Sequence, residues 1–296
     1  LDITDCTREQ IKNTYVQYVL NQKSNRGVTY RGATIKGYLR IISKLMNWAF
    51  DNGLRDKKIG KILTLITKDL KNQKTSRTHF TKEEYKHLLK VSRDEIESAR
   101  SRHHKFDRQR LHHFIIFMVG TGLRSESECM QLNWEDIEFV DRRNVVSIKS
   151  DTSVKHHDKC YLKINVTNSK VKTSRECFGL SSAFNALRNL QKLYQMHEID
   201  CKGNIWGVKD FRSSLNALLV KANLKHYMIG NQKVSRDSVS FRKTFMCFMF
   251  DRNLNAHDIA KQCGTSIAMI EQYYTAYKTA DNLIEKIEES NQKYSE

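Results

Sequence analysis

"TGLRSESECMQLNWEDI", Thr121 to Ile137, is the stretch on which the fold turns. Just before it lies the apolar run "LHHFIIFMV" (111–119), which predicts a buried helix closed by Gly120-Thr121-Gly122. Ser125 and Glu128 then stand at the S-x-x-E spacing of a capping box, which predicts a new helix and sets Arg124 on the tight turn at its N-terminus. Past "WEDIEF" (134–139) the periodicity changes. "NVVSI" (144–148), "CYLKINV" (160–166) and "RECFGL" (175–180) are short β-like runs separated by polar turns, the pattern of a small antiparallel sheet. Helical periodicity returns near Ser182 and continues to the end of the chain. The expected fold class is therefore mainly α with one small antiparallel β-sheet.

Toward the N-terminus the pattern is helical throughout. "TREQIKNTYVQYVLNQ" (7–22), "TIKGYLRIISKLMNWAFDNGL" (34–54) and "KIGKILTLITKDL" (58–70) predict a helical domain over 1–70. In the second helix Ile35, Tyr38, Ile42, Leu45 and Ala49 form the expected buried stripe, with Thr34 as cap and Asn52-Gly53 as stop. Thr34, Lys36, Arg40 and Lys44 lie largely off that stripe and are the candidate polyanion contacts. The polar segment 71–78 reads as a linker, and a second domain over 79–296 opens with Thr81 and Glu84 in a T-x-x-E capping box stapled by Phe80.

Lys and Arg number 51 against 33 Asp and Glu, a formal net charge of +18 spread along the chain. Such a field favours a polyanionic partner, nucleic acid first. Seven cysteines at scattered positions, with no CxxC pair, suit a reducing compartment such as cytosol or nucleoid. No apolar stretch approaches the ~18 residues that span a bilayer, so no membrane role is expected. The chain opens on Leu1, and a preceding segment is expected. "HHDKC", with His156, His157 and Cys160, has a faint metal-like spacing but no evident fourth ligand, so no metal or other cofactor is expected.

Four further stretches are structural when taken singly: "GTGLRSESE" is a helix start, "KVKTSRE" a basic turn, "SFRKTF" an amphipathic helix, and "QYY" an aromatic pair. In this order they supply the parts of phosphodiester transesterification. A tyrosine hydroxyl, with a free pKa near ~10, needs a strongly positive setting to attack phosphorus. Two arginines hold nonbridging oxygens with their planar forks and stabilise the charge of the pentavalent transition state. A lysine on a sheet turn can protonate the departing 5′ oxygen. No acidic metal cluster is apparent, which fits a metal-free route.

The motifs resemble those of the tyrosine recombinases, or phage integrases, over essentially the whole chain. "TGLRSESECMQLNWEDI" looks like the family's first box, "KTSRE" like its sheet-turn lysine, and "SFRKTF" with "CGTSIAMIEQYY" like its second box. The resemblance implies a core-binding helical domain followed by a catalytic domain. It makes Arg124 and Arg242 the phosphate clamp, Lys172 the general acid with Lys170 as competitor, and Tyr274 the nucleophile of a 3′-phosphotyrosyl intermediate. Tyr274 is preferred over Tyr273 by its spacing from Gly264. Val239 and Thr265 occupy positions where many members carry histidine, as in a subgroup of phage and genomic-island integrases with Gly-Thr-Ser in the second box. Thr265 and Lys243 are candidate supporting residues. The implied partners are duplex recombination sites, a homotetramer on DNA and DNA-bending accessory proteins; the amphipathic segment 279–296 reads most simply as a terminal helix packing on its own domain, while the resemblance implies that it can dock on a neighbouring protomer. Religation to the same strand, a type IB-like topoisomerase, and a noncatalytic DNA-binding protein of the same fold are the alternatives.

Overall fold

Gly122 ends a 20-residue helix that is buried along most of its second half, and its left-handed backbone (φ +69°) turns the chain toward the segment that follows. The computed structural model describes residues 4, 6–23, 27, 30, 32–58, 78–141, 160–167, 174–229 and 232–274; the side chains of Gln272, Tyr273 and Tyr274 lie outside that description. The chain divides into two compact units, Leu1–Thr75 and Ser76–Glu296.

In the first unit, helix α1 (Arg8–Ile11) continues through a wide π-type turn (Lys12–Val16) into α2 (Gln17–Asn21). Thr7 starts it with a reciprocal capping box to Gln10. Helix α3 (Gly32–Asp51) packs Ile35, Leu39 and Met46 against Cys6, Ile11, Val16 and Val19. This corrects the expected stripe. Ile35 and Ala49 are buried and Ile42 packs on the cluster, but Tyr38 and Leu45 are exposed, and Leu39 and Met46 take their places. A seven-residue apolar repeat on a helix of 3.6 residues per turn fits two neighbouring stripes equally well. Only the partners decide between them, here Cys6, whose Sγ lies 3.7 Å from the Met46 sulfur. The segment 59–77, including the predicted helix at 58–70, lies almost wholly outside the described residues.

In the second unit, Thr81 caps α4 (Lys82–Glu97) with both bonds of the predicted box, and Phe80 is buried and stacked on Phe241. Helix α5 (Arg102–Thr121) is the centre of the core, with Phe114, Ile115, Phe117 and Met118 at most 1% exposed. The chain then makes turns and a 3₁₀ segment, Cys129–Gln131, in place of the helix expected after Arg124. Ser125 and Glu128 form no capping box there, because the Glu128 carboxylate is drawn into ion pairs.

A second 3₁₀ turn (Trp134–Asp136) leads into β1 (Ile137–Asp141), which pairs antiparallel with β2 (Cys160–Val166), itself paired with β3 (Arg175–Gly179). The first strand thus begins inside "WEDIEF"; the run at 144–148 lies outside the described residues. Helices α6 (Ser181–Met196) and α7 (Arg212–Lys221) follow. A second hairpin, β4 (His226–Ile229) with β5 (Gln232–Ser235), is an element the sequence pattern did not announce. Helices α8 (Ser238–Asp251), α9 (Ala256–Cys263) and α10 (Ile267–Tyr274) complete the described part. The fold is mainly helical with small antiparallel sheets, as expected.

Candidate active site at an arginine–carboxylate hub

Helix α9 ends in a Schellman pattern: the Gly264 N–H donates to Lys261 O at 3.2 Å and the Thr265 N–H to Ala260 O at 3.0 Å. The carbonyls of Gln262, Cys263 and Gly264 are left facing out of the helix end, where partial negative charge accumulates. Each receives an arginine from a different element. Arg242 on α8 donates to Cys263 O at 2.5 Å, Arg124 from the turn after α5 donates to Gly264 O, and Arg175 on β3 approaches Gln262 O at 3.5 Å.

Glu128 joins the three. Its side chain is fully buried, and Arg175 grips it bidentately at 3.0 and 2.8 Å. The Arg124 N–H donates to its Oε2 at 2.9 Å, the Arg124 guanidinium pairs with its Oε1, and Arg242 lies 3.8 Å away. Burial works to raise the pKa of Glu128, but the hydrogen bonds from Arg175 and Arg124 and their charges outweigh it and hold it below the usual carboxylate value. Arg242 responds the other way: burial first, then the charge of Arg124 and Arg175, lower its pKa. Three guanidinium groups thus face one carboxylate, and the excess positive charge is what a bound oxyanion would neutralise.

Two glycines make this approach possible. A Cβ on Gly122 would sit 2.3 Å from the Phe245 ring, and the Gly122 carbonyl accepts from Arg242 at 2.9 Å. A Cβ on Gly264 (φ +59°) would sit 2.5 Å from the Arg175 guanidinium carbon. Gln262 braces the base from below, its amide donating to Thr121 O at 2.9 Å and Phe178 O at 2.7 Å and accepting from the Phe178 N–H at 3.1 Å.

Arg124 and Arg242 are therefore brought together, though 118 residues separate them in the sequence. Thr265 is half-buried directly after Gly264, and Val239 is half-buried in the first turn of α8, its N–H donating to Asp237 Oδ1 at 2.9 Å. Lys243 is buried next to Arg242. Tyr273 and Tyr274 are the last two described residues of α10, which follows Gly264 after only Thr265 and Ser266. Lys170, Lys172, His156 and His157, and the segment 279–296, lie outside the described residues. Thr34, Lys36, Arg40 and Lys44 lie on α3 in the other unit: Thr34, Arg40 and Lys44 are exposed and Lys36 is half-buried.

Sequence reading missed Glu128, taken for a helix cap, and also Arg175 and Gln262. For Arg175 the only signal was its place in "KTSRE", where attention went to the lysines. Among the described residues no group of three or more His, Cys, Asp or Glu is placed to hold a metal ion, and no helix is long and apolar enough to cross a membrane.

The chain resembles the Tn1549 transposon integrase, solved in complex with transposon right-end DNA, at a TM-score of 0.59 and 16% identity, over 98% of this chain and 87% of that one. It also resembles the XerH site-specific recombinase, solved bound to its difH substrate before cleavage, at a TM-score of 0.56 and 13% identity, over 96% and 70% of the two chains. At these identities the likeness concerns the fold alone. No curated protein matches the chain. The model of the phage integrase family matches residues 78–280, more than half of the 296, and the chain belongs to that family, the tyrosine recombinases.

Proposed function

We propose that the protein is a site-specific DNA recombinase that exchanges strands of a mobile element through a covalent 3′-phosphotyrosyl intermediate. The observation that carries this reading is the convergence of Arg124 and Arg242 on consecutive carbonyls, Gly264 and Cys263, two residues before the helix that ends in Tyr274. In this reading the scissile phosphate sits against the two guanidinium groups, which hold its nonbridging oxygens and stabilise the added charge of the pentavalent transition state. The Tyr274 hydroxyl attacks phosphorus and loses its proton to solvent. The P–O5′ bond breaks, and the 5′ oxygen takes a proton from Lys172. Lys170 is the alternative for that role. Because the phosphotyrosyl bond keeps the energy of the phosphodiester, attack by a 5′ hydroxyl of another strand reseals it.

With Val239 and Thr265 at the histidine positions, proton handling falls to the lysine and to solvent, while Thr265 can hydrogen-bond the phosphate. The +18 charge supplies the nonspecific part of DNA affinity, and Lys36, Arg40 and Lys44, at i,i+4 spacing on α3, form a second phosphate-contacting face, with Thr34 a further contact nearer the helix start. Four protomers on two sites would perform a full exchange.

The test is covalent trapping. The protein is incubated with a library of nicked duplexes of randomised sequence, and SDS-resistant protein–DNA adducts are isolated and sequenced. Adducts should form with the wild type and with Tyr273→Phe and be absent with Tyr274→Phe. An adduct that persists in Tyr274→Phe assigns the nucleophile elsewhere. No adduct from the wild type, in the presence of filter-retained DNA, would support a binding protein.

A further inference from the structure

Resting on the reading of Arg124 and Arg242 as a phosphate clamp, we infer that Arg175 is a positioning residue acting through Glu128: it matches the carboxylate's charge and so leaves the charge of the clamp available to phosphate. Three observations carry this. Arg175 engages both Glu128 oxygens, at 3.0 and 2.8 Å, and Arg124 shares one of them through its guanidinium, whereas Arg242 stays 3.8 Å from the carboxylate and spends its hydrogen bonds on the carbonyls of Gly122 and Cys263. Glu128 is fully buried, so its charge must be met by protein groups and not by water. Arg175 is also built in: its guanidinium lies against Gly264, where any side chain would collide with it, and its Nε faces the Gln262 carbonyl.

Charge accounting gives the consequence. The hub holds three guanidinium groups and one carboxylate, a net charge of +2 available to a dianionic oxyanion. Without Arg175 the net falls to +1. The Glu128 carboxylate, already paired with Arg124, would then have only Arg124 and Arg242 to match it, and Arg242 would be drawn in from 3.8 Å and away from the position of a phosphate. Arg175 touches no reacting atom in this scheme; it frees those residues that do.

The test uses inorganic phosphate and the whole chain without DNA. Binding is followed on the side-chain Nε–Hε resonances of Arg124 and Arg242, so that phosphate on the basic surface does not count. Arg175→Met should weaken phosphate binding at least tenfold. Arg175→Lys, which keeps the charge, should stay within about threefold of the wild type. In the double variant Glu128→Gln/Arg175→Met the net charge returns to +2, and affinity should recover to within about threefold. Wild-type affinity in Arg175→Met overturns the inference, as does a loss in Arg175→Lys equal to that in Arg175→Met, or a double variant no better than the single one. Should Arg175→Met fail to fold, Glu128→Gln alone decides: with three positive charges it should bind phosphate about tenfold more tightly, and unchanged affinity rejects the idea. Because this readout involves neither DNA nor a tyrosine, it can fail while covalent trapping succeeds, and the reverse.

Discussion

Glu128 shows how much one side chain can organise. It is a carboxylate with no access to water, ringed by Arg124, Arg175 and Arg242, and it orders the clamp by holding the N–H as well as the guanidinium of Arg124. Removing one member of a buried ion cluster leaves the others uncompensated, which typically costs about 3–5 kcal/mol. Glu128→Ala should lose stability of that order in urea denaturation, and a loss below about 1 kcal/mol would show that the hub contributes little to folding. Because its pKa is depressed in the folded state, its contribution is fully present above the unfolded value of 4.5 and is lost as pH falls through the folded value.

At the scale of elements, the end of α9 does two tasks with one glycine. Gly264 adopts the left-handed conformation that terminates the helix and also admits the Arg175 guanidinium to within 2.5 Å of where a Cβ would lie. Gly203 (φ +63°) shares the conformation but has nothing within 4 Å of such a Cβ. Gly203→Ala should therefore cost only the conformational strain, about 1–2 kcal/mol. Gly264→Ala should cost at least twice as much and should also reduce covalent trapping, because Arg175 must move. Equal losses at the two positions would mean that the helix end has room to give. The β4–β5 hairpin is held differently. Arg236, directly after it, is buried, pairs bidentately with Glu84 at 2.9 and 2.8 Å, and donates to Thr78 at 3.0 Å, tying the entry of the second unit to the start of α8.

For the folded unit as a whole, a further pH liability lies away from the hub, on α5. Burial pushes the pKa of His112 and of His113 down to about 4, from 6.5. His112 is satisfied by Ser92 at 2.9 Å, whereas His113 Nδ1 is buried without a hydrogen-bond partner. Between pH 6.5 and about 4 the unfolded chain takes up protons that the folded one refuses, so stability is retained above 6.5 and falls as pH drops through that window. Each histidine contributes a slope of up to about 1.4 kcal/mol per pH unit. Urea midpoints measured at pH 6.5 and pH 5 should converge in His113→Leu relative to the wild type, with stability at pH 5 no lower than wild type. An unchanged pH slope would place the effect on other groups.

The helical character of both units, the capping box at Thr81, the buried run of α5 and the order of the motifs that mark the family are all legible in the residues alone. Those features are written in local spacing, where propensity and periodicity act over a few residues. The choice between two equivalent apolar stripes on α3, the β4–β5 hairpin, and above all the assembly of Arg124, Arg175, Glu128 and Arg242 at the end of α9 were decided only in the tertiary structure. Glu128 at S-x-x-E spacing has a local meaning as a helix cap, and the one competitor nearby in the sequence is Arg124, four residues before it. The other two partners lie 47 and 114 residues further along, on β3 and α8, and the three charges together outweigh a cap only once folding has taken the water away.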